Sequence, residues 1–321
     1  MINAQIGMLI KGEYTFTATS EARGSRELGV ARSPNLIVNS GLNRLGGSGV
    51  VMNTCLVGSG STTPAATDTA LAVPVASTTT IVGGTGGTTT YVAGSPDYVQ
   101  MITTYRFAEG VAAGNLSEVG VGWGTGSALF SRALILDGGG SPTTLTILSD
   151  ETLDVTYTIR VYPPTTDVTG SITLDGVSYG YTIRPCNVST SGTGSYYWDL
   201  SYIFSSSSIN SMRIGYRSYT YAAGATIGAR TALPSGTSTL TDITVTTLTY
   251  VPGEFKCRST MKFELANGNA AGGISAIAFG FGRFSNTYNG CAFQIVFDAP
   301  VPKDATKTLR LTFDLTWANA A

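Results

Sequence analysis

Histidine is absent from all 321 residues, and that gap removes more chemistry than any other feature of the chain. Histidine is the usual general base and the commonest metal ligand near neutral pH. Ser-His-Asp and Cys-His catalysis are therefore excluded. Charge is scarce too: Asp, Glu, Lys and Arg make up 12% of the chain, the net charge is −1, and the basic residues are scattered. A phosphate backbone is held by clustered cations, so nucleic acid is not an expected partner. No apolar run reaches the roughly 18 to 20 residues that span a bilayer, and Met1 to Gln5 do not open a signal peptide, so no membrane insertion is expected. The four cysteines, Cys55, Cys186, Cys257 and Cys291, lie far apart without a Cys-x-x-Cys pair. They make no zinc site and read as buried free thiols. No metal, no cofactor and no catalytic residue is expected.

What is present is apolar and β-forming. Hydrophobic residues make up 42% of the chain, enough to bury a core in two domains of ordinary size. Gly, Ser and Thr fill most polar positions, giving a neutral, hydrogen-bonding surface. Period-two alternation runs through residues 14–18, 100–107, 116–123, 153–162, 171–174, 197–204, 212–221, 240–250, 293–297 and 309–317. Turn residues separate these runs at short intervals. One short helix is expected over 40–45, with Asn39 or Ser40 capping its start and Gly46-Gly47 ending it.

The same pattern is written twice. Leu116, Val119, Val121 and Trp123 return as Ile274, Ile277, Phe279 and Phe281, with Gly122 and Gly124 matched by Gly280 and Gly282. Residues 152–159 return as 308–315, each copy alternating apolar and polar positions. A weaker match sets Gly12, Tyr14, Thr15 and Phe16 against Gly176, Tyr179, Gly180 and Tyr181. The expected architecture is all-β: two tandem β-sandwich, jelly-roll-like domains from an internal duplication, 1–162 and 163–321. Between Gly58 and Gly94 a Gly-, Ser- and Thr-rich stretch offers little to pack and is expected to form a long loop or arm in the first domain. Its glycine run lacks the Gly-Lys-Ser/Thr ending of a phosphate loop.

Two sets of side chains invite functional readings. Glu109, Glu118, Asp137, Asp150 and Glu151 are the acids a two-carboxylate glycosidase would draw on. Glu118 is matched by Ala276 in the second copy, and Asp150-Glu151 precede a strand, so solvated loop acids are the expectation. Tyr196, Tyr197, Trp198, Tyr216, Tyr219 and Tyr221 carry rings that could stack on sugars; alternation along strands makes core or interface packing the preferred reading. Three or more of these rings clustered at the surface would favour an adhesin, and burial would favour a connector or scaffold.

Several segments carry a family resemblance. Residues 34–45 (Pro34, Asn35, Leu36, Ile37, Val38, Asn39, Ser40, Gly41, Leu42, Asn43, Arg44, Leu45), 57–64 and 68–71 resemble virion proteins of tailed bacteriophages, of the tail fibre or tail appendage class. Residues 115–122 and 129–135 are similar to the same proteins, as is the ending from Gly272 through Pro302 and Lys303 to Trp317. The resemblance covers most of the first half and carries no catalytic fingerprint. It implies a non-enzymatic subunit of the virion, in the tail or head-tail region and made in the host cytoplasm. Such a subunit assembles with copies of itself and with tail, portal or capsid proteins. A duplicated subunit placed three times about an axis presents six similar domains, so a trimer or hexamer is expected. Alternatives are a receptor-binding adhesin that takes a host surface glycan, and a capsid decoration protein.

Overall fold

The computed structural model describes residues 4–26, 28, 30–47, 49–84, 87–124, 128–189, 198–204, 212, 214–281 and 290–320. The chain opens with β1 (Ala4–Ser20), β2 (Gly24–Arg26), β3 (Ser33–Pro34) and β4 (Leu36–Ile37), then the helix α1 (Asn39–Gly46). There follow β5 (Thr54–Gly58), β6 (Pro74–Thr78), β7 (Thr88–Val92), β8 (Tyr98–Phe107) and β9 (Gly114–Leu116). Next come β10 (Glu118–Trp123), β11 (Ala128–Leu134), β12 (Leu145–Ile147) and β13 (Thr152–Tyr162). Past Pro163 come β14 (Val168–Leu174), β15 (Val177–Pro185), a 3-10 turn (Leu200–Phe204), β16 (Ile214–Tyr221), β17 (Ser238–Asp242) and β18 (Thr244–Tyr250). The chain closes with β19 (Lys256–Phe263), β20 (Ile274–Phe281), β21 (Phe293–Val301) and β22 (Leu309–Asn319). The protein is all-β apart from α1 and the 3-10 turn among the described residues.

A nine-stranded sheet, ordered β18-β19-β22-β1-β13-β8-β7 with β2 and β3 added to β1, runs through the whole molecule. It takes strands from both sides of the 162/163 boundary, joined where β1 pairs parallel with β22 and antiparallel with β13. One face carries a five-stranded sheet, β4-β11-β10-β5-β6, and a six-stranded one, β14-β15-β21-β20-β16-β17. The order β4-β11-β10-β5-β6 has the form of β15-β21-β20-β16-β17, and β7-β8-β13 has the form of β18-β19-β22. Each series also follows the same order along the chain.

The two clear sequence matches fall on strands that correspond in this scheme, β10 with β20 and β13 with β22. On the solvent face one threonine pair corresponds as well. Thr104 and Thr156 share a hydroxyl hydrogen bond of 2.9 Å, and Thr260 and Thr312 one of 2.8 Å. The charged pairs beside them do not correspond: Arg106 grips Asp154 with two bonds of 2.7 Å on one side of the first Thr pair, and Arg258 grips Asp314 with two bonds of 2.7 Å on the other side of the second, where Lys262 and Arg310 hold the places of Arg106 and Asp154. The weaker match does not correspond. Gly12 and Tyr14 lie on β1 at the centre of the large sheet, whereas Tyr179 and Tyr181 lie on β15, which holds the place of β4. Short Tyr-Gly alternation occurs on any twisted, half-buried strand, and here it misled.

Alternation decides which side of each strand is buried. Along β1, Ala4, Ile6, Met8, Ile10, Tyr14 and Ala18 point into the core, while Gln5, Leu9, Thr17 and Thr19 face out. The layers interlock through named contacts. Tyr14 of β1 bonds Ser131 of β11 at 2.7 Å and lies 4.7 Å from the Tyr157 ring. In the other half the rings of Phe279 and Phe313 sit 4.8 Å apart across the layers. Full burial of each such side chain favours folding by about 1.5–3 kcal/mol. The hairpin β14–β15 turns at Asp175 and Gly176, both at positive φ (49° and 79°), the Asp-Gly pair that suits a type I′ turn.

Three local expectations change. The helix begins one residue early, at Asn39; its N-cap is Val38, and no side chain caps it. Distant backbone takes that role: Asn39 N–H donates to the Ala66 carbonyl, and Ser40 donates its hydroxyl to the Leu129 carbonyl at 2.8 Å. The run 197–204 is a 3-10 turn over its described end rather than a strand. The 58–94 stretch is not one projecting arm, because β6 pairs with β5 and β7 pairs with β8 inside it.

Candidate binding groove

The acids are structural ligands of the chain itself. Glu118, expected as a solvated loop acid, is fully buried at the start of β10. Its carboxylate accepts from the N–H groups of Gly60 (3.1 Å), Ala72 (3.1 Å) and Val73 (2.8 Å), and from Arg132 Nε (2.9 Å). Arg132 also reaches Asp68 at 2.6 Å and the Thr62 carbonyl at 2.9 Å. A single buried ion pair thus straps the 59–73 loop to the five-stranded sheet. Burial pushes the Asp68 carboxyl up, but the Ala65 N–H and the Arg132 guanidinium outweigh it and hold the group below its usual range.

Asp150 and Glu151 sit beside two arginines. Arg23 meets Asp150 at 2.7 Å, and Arg26 grips Glu151 with two bonds of 2.8 Å. The Arg26 hydrogen bond, with help from the Leu148 N–H, holds Glu151 down at about 2. A glycosidase acid needs the opposite shift. Asp137 accepts from the N–H groups of Gly139 and Ser141 in its own turn, and Glu109 is exposed. No group of three or more Cys, Asp or Glu among the described residues is placed to hold a metal ion.

The aromatic candidates separate. Tyr196 and Tyr197 lie outside the described residues. Trp198 is fully buried, edge-on to Phe281 and Phe293 at 5.4 and 5.7 Å, with its indole N–H donating to the Cys186 carbonyl. Tyr221 is buried among Cys186, Ala276, Ala278 and Cys291, where burial raises its phenol above the usual range. Tyr219 packs half-buried on the same cluster. Only Tyr216 of the four described rings is exposed, at 40%. Trp198 and Tyr221 are packed into the interior of the second half. All four cysteines are free and buried, and burial lifts the Cys291 thiol to about 12.

A concavity of about 680 Å³ lies where β1, the end of β13 and the 95–96 turn meet. Leu9 and Lys11 of β1 form its floor; Tyr162, Pro163 and Pro164 form one wall, and Ser95 and Pro96 another. Leu9 stands between Tyr162 on β13 and Ala318 on β22 and is 47% exposed. Tyr162 lies 5.3 Å from the Tyr98 ring, over which Arg160 places its guanidinium at 5.2 Å. Arg160 is in turn fixed by Glu13 at 2.7 Å. Behind the wall Arg230 of the second half holds Asp97 of the first at 2.5 Å. The groove is lined mainly by apolar side chains with Lys11 on its floor, and the arginines near it are each paired with a carboxylate. Pro163-Pro164 was legible as a boundary in the sequence; the convergence of β1 and the 95–97 turn on it was not. No described helix is long and apolar enough to cross a membrane. The chain matches no protein-family model, no curated protein and no solved structure closely enough to carry an inference.

Proposed function

We propose that this chain is a structural subunit of a tailed-bacteriophage particle, a tail fibre, tail appendage or collar-tail connector component, and that it performs no catalysis. One observation carries the reading: the five first-half segments that resemble such proteins converge on a single packed unit. Asn39 bonds Ala66, Ser40 bonds Leu129, Glu118 holds Gly60, and Arg132 holds Thr62 and Asp68. Residues 34–45, 57–64, 68–71, 115–122 and 129–135 are thus one structural motif rather than scattered likenesses.

The halves are, in this reading, tandem copies of one β-sandwich unit with β1 added between them. The equal strand order supports it, as do the matched Thr pairs of the large sheet. Three chains about an axis then present six such units, suited to joining parts of a particle whose symmetries differ. Partners are further copies of the chain and tail, portal or capsid proteins. Electron microscopy of intact particles carrying a label on the C-terminus tests this. Label ringed about the tail or neck supports the appendage reading; label spread over the head shell favours capsid decoration; unlabelled particles reject a virion role. A second reading, a receptor-binding adhesin, draws on a hydroxyl-lined groove in the second half.

A further inference from the structure

Thr220 stands between Tyr219 and Tyr221 on β16, and alternation sends it to the opposite side of the strand. There it joins Thr239 and Thr241 of the edge strand β17 in a second groove of about 390 Å³, closed on its far side by the 266–271 loop. Thr220 and Thr241 share a 2.8 Å hydroxyl hydrogen bond. The Thr239 side chain is exposed at the rim, while the Asp242 carboxylate points to the other face of β17, where Arg217 holds it. Ala222, Ala266, Gly268 and Ala271 leave the walls open.

The loop is held rigidly from behind. Lys303, 3% exposed, donates to Asn269 Oδ1 at 2.6 Å, to the Asp304 carbonyl at 2.9 Å and to the Leu265 carbonyl at 3.4 Å. Asn267 donates its amide to the Asp242 carbonyl at 2.8 Å, tying loop to strand. Burying a lysine to fix an exposed loop costs desolvation, and the result is a preformed cleft rather than a mobile one.

The lining selects a ligand class. Hydroxyls and amides both donate and accept, as does each hydroxyl of a polyol. An anion would need cations; the nearby Arg217 is engaged with Asp242 at 2.7 Å, and the Lys303 ammonium is spent on the loop. A nucleobase would need an aromatic platform, and the tyrosine rings of β16 at 219 and 221 face the cluster on the other side. We infer that this groove binds a neutral, polyhydroxylated ligand, a sugar unit, through the Thr239 hydroxyl and the Asn267 amide oxygen. The site deepens the adhesin reading and rests on it for its biological use; a free sugar either binds the purified chain or does not, whatever particle the chain belongs to.

Saturation-transfer NMR on the full chain with glucose, galactose, mannose and N-acetylglucosamine, each at millimolar concentration, tests it. Transfer to the ring protons of at least one sugar is expected. Thr239→Val, which removes one exposed hydroxyl and keeps the β-branched shape, and Ala271→Trp, which fills the cleft, should each weaken that binding about tenfold or more with unchanged melting temperature. If none of the sugars receives saturation, or if both folded variants bind within about twofold of the parent, the inference is wrong. Either failure leaves the assembly reading untouched.

Discussion

In the first half, the central strand of the outer sheet carries a buried glutamate at 118; in the second, its counterpart at 276 is alanine. The strands around the two positions correspond, β5 and β11 on one side and β16 and β21 on the other. What covers them does not. Glu118 reaches out to the N–H groups of a loop and to Arg132, so the outer face is closed by an ionic strap. Ala276 instead leaves room for Tyr221, Cys186 and Cys291, with Ala225 and Leu233 packed over them, so that face is closed by apolar contact. The cores differ in the same sense. The first has tyrosines tied by hydroxyl bonds, Tyr14 to Ser131 and Tyr157 to Asn35; the second has Phe279, Phe281 and Phe293 in ring contact. A shared strand plan fixes which positions are inside, not which force holds them.

That contrast can be broken at its strongest point. Glu118→Ala leaves Arg132 buried without its carboxylate and should cost about 3–5 kcal/mol. Urea denaturation checks it, and a loss below about 1 kcal/mol would show that the ion pair does not hold the loop. Ala276→Glu should be comparably harmful, since it buries a carboxylate with no arginine opposite. In the second half Phe279→Ala should cost about 3–5 kcal/mol through the cavity it leaves. In the first, Tyr14→Phe removes one hydroxyl bond and keeps the ring, so the expected loss is smaller, about 1 kcal/mol.

Acid sharpens the comparison further. Glu151 titrates at about 2 in the folded chain against an ordinary 4.5, because Arg26 and the Leu148 N–H favour its charged form. A depressed carboxyl stabilises fully above its unfolded value, and that contribution disappears as pH falls from 4.5 toward 2. Melting temperature followed down this range should fall, and Glu151→Gln should flatten the fall. Least of all should be the coupling between Arg106 and Asp154 and between Arg258 and Asp314, pairs on the outer face of the large sheet whose arginines are half exposed. Double-mutant cycles should find each coupling below about 1 kcal/mol; a larger value would show that surface ion pairs hold this sheet more firmly than their exposure allows.

Much of the sheet was readable because alternation is a backbone property. The runs at 100–107, 153–162 and 309–317 became β8, β13 and β22 with little change. β6 and β7 were hidden in Thr- and Gly-rich sequence, whose small side chains give no periodic signal; their pairing comes from neighbouring strands. Glu118 looked like a surface acid because its partners Gly60, Ala72 and Val73 offer only backbone, which no residue pattern announces. The rings of Tyr219 and Tyr221 turn to the buried cluster while Thr220 between them turns to the groove, since one residue of shift exchanges the two faces of a strand. The junction groove needs β1, the 95–97 turn and Pro163-Pro164 together, and only the parallel pairing of β1 with β22 brings the chain's ends to that place.

The proposed role depends most directly on self-assembly of the chain. Light scattering coupled to size exclusion on the purified full chain measures it without assumption about shape. A mass of three or six chains is the predicted result; a monomer that persists as concentration rises would contradict it.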